Sequence, residues 1–158
     1  MTLCADCRIG SAASKAIEIS YDRKSERAIF KFDSELQPAD MLLTISFTGT
    51  INNYMAGFGR AGYQSAATPG PATPKVGEQH YMLSTQFESC DARQAFPCFD
   101  EPNLKATFDF EIEISKGLTA LSNMPVKSKR EGSKPDLEFV SFERTPIMST
   151  YVSTYVFS

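Results

Sequence analysis

The chain has 158 residues, of which 42% are hydrophobic, enough for a sizeable core, and a net charge of −3. That charge argues against a nucleic-acid or anionic-membrane surface, since both need clustered Lys and Arg, and only Lys127 to Arg130 is locally basic. No apolar run approaches the roughly 20 residues of a spanning helix, and the start lacks the charged-then-apolar pattern of a signal peptide, so the sequence reads as cytoplasmic.

Residues 1–15 form a poorly defined N-terminal segment, and 16–158 read as one β domain. Within the first segment, Cys4-Ala-Asp-Cys7 is a C-x-x-C, a spacing used by redox sites and by half of a zinc knuckle. No second C-x-x-C supplies the other two ligands, and Cys90 and Cys98 lie far along the chain. Free thiols are the expectation in a reducing compartment. Ala16 to Tyr21 and Arg27 to Phe32 alternate apolar and polar residues around Asp22-Arg-Lys-Ser-Glu, which predicts a hairpin. Met41 to Ile51 reads as a longer strand with Leu43, Ile45 and Phe47 on one face. Residues 52–79 carry Gly57, Gly59 and Gly62 and then a Pro/Ala/Thr-rich stretch, the composition of a surface loop.

The densest signal runs from Tyr81 to Pro102. Tyr81 to Phe87 is β-branched and aromatic, so alternation points Phe87 to the core and sets Gln86 and Glu88 at the mouth of the strand. An amide and a carboxylate there suit a positively charged or hydrogen-bonding ligand. Asp91 to Ala95 reads as a single helical turn capped by Ser89 or Asp91 and stopped by Phe96-Pro97. Arg93 lies between Glu88, Asp91 and the Asp100-Glu101 pair, and a guanidinium on one of these carboxylates would hold the loop on the strand.

Lys105 to Ile114 then alternates Ala106, Phe108, Phe110, Ile112 and Ile114 with Thr107, Asp109, Glu111 and Glu113, the pattern of a half-buried strand with an acidic outer row. Leu118 to Met124 and Glu138 to Glu143 read as two further strands joined by a charged loop, Lys127 to Asp136, and a last strand spans Ile147 to Phe157. With no helical period of any length, this is an all-β fold, an antiparallel β-sandwich or saddle-like sheet of roughly eight strands.

Thr85-Gln-Phe-Glu, Asp91-Ala-Arg, Ala95-Phe-Pro-Cys-Phe-Asp-Glu-Pro and Lys105-Ala-Thr-Phe together closely resemble the N-terminal domain of the zinc aminopeptidases of the alanyl and puromycin-sensitive type, the gluzincins. Gly49-Thr-Ile-Asn-Asn-Tyr-Met-Ala-Gly-Phe, Ala120-Leu-Ser-Asn-Met-Pro-Val and Thr145-Pro-Ile-Met-Ser-Thr-Tyr match in the same order, so the resemblance covers about Ile17 to Tyr151. It begins partway into the family's β-saddle, which implies a sheet incomplete at its N-terminal side. At Gly59 the family commonly has Tyr, and that difference implies looser local packing.

The resemblance implies a peptide N-terminus as substrate and zinc as the metal of the full-length enzyme. On Glu88 falls the family residue that binds the substrate α-amine, and on Gln86 the one that lines the pocket for the first side chain. The family's Gly-Ala-Met-Glu-Asn segment and His-Glu-x-x-His helix do not occur here, and the one histidine is His80. Since a zinc site needs three or four protein ligands, this chain is expected to hold no metal or cofactor and to be inactive without a catalytic domain. Two other readings stay open: a non-catalytic β-sandwich that binds peptides or proteins, and a metal or redox module built on Cys4 and Cys7.

Overall fold

The structure, a computed structural model, describes residues 2–9, 12–64 and 79–158, with side chains from residue 14 onward. It divides into two compact units, Met1–Thr50 and Ile51–Ser158. Among the described residues every regular element is a strand or a one-turn 3₁₀ helix, so the all-β expectation is met. No helix of the described residues is long and apolar enough to cross a membrane.

In the first unit, β1 (Thr2–Ile9) runs antiparallel between β2 (Ala12–Lys15) and β5 (Met41–Thr48). Cys4 and Cys7 thus lie in a strand, opposite Ser46 and Leu43 of β5. A separation of three puts the two positions on opposite faces of β1. The expected hairpin is β3 (Glu18–Asp22) with β4 (Arg27–Lys31). Its turn closes on Asp22, whose carboxylate accepts from Lys24 N at 3.0 Å, Ser25 N at 3.3 Å and Ser25 Oγ at 2.6 Å. These short polar bonds are what make Asp a turn residue.

The second unit carries the densest packing. A four-stranded sheet has the order β10 (Ala120–Ser122), β14 (Tyr155–Phe157), β7 (Gln79–Gln86), β6 (Gly57–Gln64). A three-stranded sheet has the order β11 (Val126–Glu131), β12 (Leu137–Phe142), β9 (Glu111–Ser115), and β8 (Lys105–Ala106) pairs β13 (Met148–Ser149). The core joins both larger sheets: Ala120, Tyr155 and Phe157 from one, Ile114, Val140 and Phe142 from the other, with Phe87 and Ala92. Phe110 ties them, stacking on Tyr155 at 3.8 Å and on Phe142 at 5.7 Å between ring centroids. Tyr155 in turn meets the edge of Phe87 at 6.4 Å, and Phe87 meets Phe96 at 5.8 Å. Such a chain of rings adds about 0.5–1.5 kcal/mol per contact to area burial.

Four segments differ from the sequence expectation. Residues 52–79 are not a loop throughout, because 57–64 form β6 and pair along their whole length with β7. Their glycines answer close approach. A Cβ on Gly59 would sit 2.8 Å from Tyr54 O, one on Gly62 2.6 Å from Gln79 Nε2, and Gly57, at φ +68°, faces Gln94 Cβ at 2.7 Å. Lys127 to Asp136 is not simply a charged loop: β11 occupies its first part as an edge strand exposed along its length. Its charges are spent sideways, Lys129 on Glu138 at 2.7 Å and Arg130 on Glu111 at 2.6 Å, while blunting an open edge. The two long strands are each broken as well. Residues 107–110 lose ladder pairing because Thr145 Oγ1 and N take Phe108 N and donate to Phe108 O, and a 3₁₀ turn at Thr150–Val152 splits the last strand.

Beyond β7, the 3₁₀ turn Ala92–Gln94 begins where Asp91 N donates to Phe87 O at 2.9 Å. Asp100, only 3% exposed, fastens this turn: its Oδ2 accepts from Arg93 N and from Arg93 Nε, both at 3.1 Å. Ser149 and Thr150 hold the following stretch by donating to Pro102 O at 2.6 Å and Phe99 O at 2.7 Å.

The acidic outer row is occupied by the protein itself. Hydrogen bonds from Arg144 hold Asp109 below the usual carboxylate range. The Ser141 hydroxyl and then Arg130 do so for Glu111, and the backbone N–H of Ser133 for Glu113. Lowered folded-state values add stability above the unfolded carboxylate range of about 4, and that contribution is lost as pH falls through the folded values. The urea midpoint is therefore expected to drop on acidification below about pH 4, less steeply in a variant carrying Asp109→Asn, Glu111→Gln and Glu113→Gln. Identical slopes would remove the row from the account. Separately, Arg93→Ala is expected to cost about 2–3 kcal/mol in the same urea experiment, since it leaves a buried carboxylate unpaired. An unchanged midpoint would contradict the lock.

Candidate functional site

The site begins at the end of β7. The ladder places Gly57 opposite Gln86, Gly59 opposite Ser84 and Ala61 opposite Met82, so on one surface of the β6–β7 pair the β6 half is built from small residues. Phe58 and Leu83, of the alternate set, pack on the core instead. Gln86 ends the strand exposed; Phe87 turns in, 2% exposed, and Glu88 turns out again. The expected alternation of amide out, ring in and carboxylate out is what the backbone delivers. The Glu88–Ser89 peptide bond is cis.

The structure brings Arg93 and Asp100 together and leaves Glu101 outside their contact, exposed, with its carbonyl accepting from Leu104 N at 2.9 Å. Among the described residues Glu88 makes no ion pair, and its carboxylate stands free at the strand mouth. Of the carboxylates that the sequence set around Arg93, Asp100 takes the guanidinium contact, which leaves Glu88 available to a ligand.

A shallow groove of about 370 Å³ runs beside Gln86, lined by Tyr54, Met55, Gly57, Gly59, Ser84 and Gln86 among others. Sequence reasoning missed its wall, the turn Asn52–Ala56. Asn52 fixes that turn: Nδ2 donates to Ala56 O at 2.6 Å, Oδ1 accepts from Tyr54 N at 3.0 Å, and Asn52 N and O bond Phe58 O and Arg60 N of β6. The Tyr54 hydroxyl reaches Gln94 Oε1 at 3.4 Å, and Gln94 donates to Asp91 at 2.6 Å, so the turn and the 3₁₀ loop brace each other. An Asn followed two and three residues later by large apolar side chains was the available signal, since Asn sets its own turn.

Cys98 and His80 lie outside this groove. Burial, and secondarily Asp100, pushes the Cys98 thiol up to about 12, so it stays protonated and inert. His80 stacks on Tyr63 at 5.4 Å between ring centroids. Among the described residues no group of three or more His, Cys, Asp and Glu is placed to hold a metal, and one histidine in the whole sequence does not fit a His-Glu-x-x-His zinc site.

Residues 7–152 match the peptidase M1 N-terminal domain. The chain is 41% identical over 143 residues to the puromycin-sensitive aminopeptidase of Caenorhabditis elegans, covering 90% of this chain and 14% of that protein. It is 42% identical over 147 residues to the alanine/arginine aminopeptidase of Saccharomyces cerevisiae, covering 89% and 16%. Against aminopeptidase M1 of Arabidopsis thaliana it is 36% identical over 146 residues, covering 92% and 15%. The chain thus spans between 14% and 16% of the length of these curated relatives. With the family match running through β7, its loop and both sheets of the second unit, the chain belongs to the peptidase M1 N-terminal domain family.

Proposed function

We propose that this domain is the substrate-gating part of a zinc-dependent aminopeptidase that removes N-terminal residues from peptides, and that it is inactive alone. Glu88 binds the α-ammonium of the substrate and Gln86 lines the pocket for the first side chain. The observation that carries this reading is the free, exposed carboxylate of Glu88 at the end of β7, with Arg93 on Asp100. An exposed carboxylate on a strand end braced by a buried ion pair is a charge carried on a held backbone, and a charge so placed measures where a substrate's amine stops. Its companion Glu and the zinc ligands belong to segments that this sequence does not contain. Zinc chemistry therefore lies with a catalytic domain, the expected partner, and no step of it is assigned to these residues.

In the assembled aminopeptidase, Glu88→Ala is expected to lower kcat/KM by roughly 30- to 1,000-fold, about 2–4 kcal/mol for one charged hydrogen bond to a desolvated ammonium. Steady-state kinetics on an aminoacyl-arylamide measure it, and an unchanged ratio would remove Glu88 from the site.

A further inference from the structure

The groove beside Gln86 has a wall, the turn Asn52–Ala56, that the core does not explain. Met55 is 91% and Tyr54 62% exposed, two large apolar side chains on one turn. Scattered exposed apolar residues need no account, but the backbone of the turn that carries these is pinned. Asn52 clamps the turn with two side-chain bonds, Tyr54 is tethered to Gln94, and Gly57 and Gly59 let the strand pass beneath with no room for a Cβ. The groove reaches Gln86 along this wall, and its volume of about 370 Å³ falls in the range of small-ligand sites. At the far end Arg60, which pairs with Leu83, lies over the Tyr81 ring at 4.7 Å, about 10 Å along the ladder from Gln86. Arg60 also lines the groove, whose large apolar side chains are those of Tyr54 and Met55.

We propose that the turn Asn52–Ala56 is the apolar wall of the pocket for the first side chain of the bound peptide, with Met55 as its specificity-determining residue. This rests on the reading of Glu88 and Gln86 given above. Two residues of extended chain span at most about 7 Å, so an ammonium held at Glu88 leaves its own side chain within reach of Gln86 and the groove mouth. A flexible, polarisable thioether is suited to closing over apolar side chains of differing shape. The pocket takes leucine- or methionine-like residues in preference to alanine.

The test follows the methyl resonance of Met55, one of six methionines, in the 158-residue chain, identified by its loss in Met55→Ala. Titration with leucinamide at millimolar concentration is expected to move that resonance saturably, whereas alaninamide leaves it in place. In Met55→Ala, leucinamide binding, followed on the backbone amides, is expected to weaken by roughly 10-fold with alaninamide unaffected. Equal displacement by both amides, binding that shifts the Glu88 amide but not the Met55 methyl, or no binding at all would each overturn the proposal. N-acetylleucinamide separates it from the reading beneath it: if this uncharged analogue binds as well as leucinamide and still moves Met55, the pocket stands and the ammonium role of Glu88 fails.

Discussion

The second unit depends on one buried ion pair. Asp100 lies twelve residues beyond Glu88 in sequence and is almost wholly removed from water. Bonded to both the backbone N–H and the Nε of Arg93, it converts the stretch from Asp91 to Glu101 from a connection into a fixed brace. Its removal would leave either a desolvated carboxylate or a half-buried guanidinium without its charge partner, which is why breaking such a pair costs more than its formation gains. Because the same loop packs Phe96 against Phe87 and lays Gln94 against the Asn52 turn, the brace holds β7 at its core-facing ring and β6 at its first glycine. The strand mouth is rigid for that reason.

From this rigidity follows the division of labour among the carboxylates. Asp100 is structural and buried; Asp109, Glu111 and Glu113 are answered by Arg144, Arg130, Ser141 and Ser133. Glu88 is exposed and, among the described residues, makes no ion pair. Acidic residues on a β surface are ordinarily spent on solvation or on edge-strand cations, and most here are. Glu88 is presented to solvent two residues beyond Gln86, which lines the groove.

Much of this was legible in the amino acids. Strict alternation from Lys105 to Ile114 named Phe108, Phe110, Ile112 and Ile114 as the inward set even though the ladder itself breaks at 107–110, and failed only at Ala106, which is exposed, because alternation reports which side faces the core and not which partner the backbone finds. The Asp22 turn and the inward Phe87 were readable for the same local reason. Strand β6 was not, because glycine signals a loop and a close strand crossing with the same residue; only the atoms opposite Gly59 and Gly62 decide between them. The charged strand β11 was hidden likewise, since an edge strand with solvent on every side chain has no period to show. At the site, Gln86 and Glu88 came from the motif, whereas the partner of Arg93 is one of several nearby carboxylates that only geometry selects, and the Tyr54–Met55 wall needed the fold that brings Tyr54 to Gln94, 40 residues on.

The central claim is that this chain carries the amine-reading end of an aminopeptidase site without its hydrolytic centre. The most direct measurement is hydrolysis of an aminoacyl-arylamide by the purified 158-residue chain, with added zinc and with a chelator. The account predicts no turnover above buffer in either condition. Chelator-sensitive hydrolysis would contradict it, and would place a metal centre on residues to which no catalytic role is assigned here.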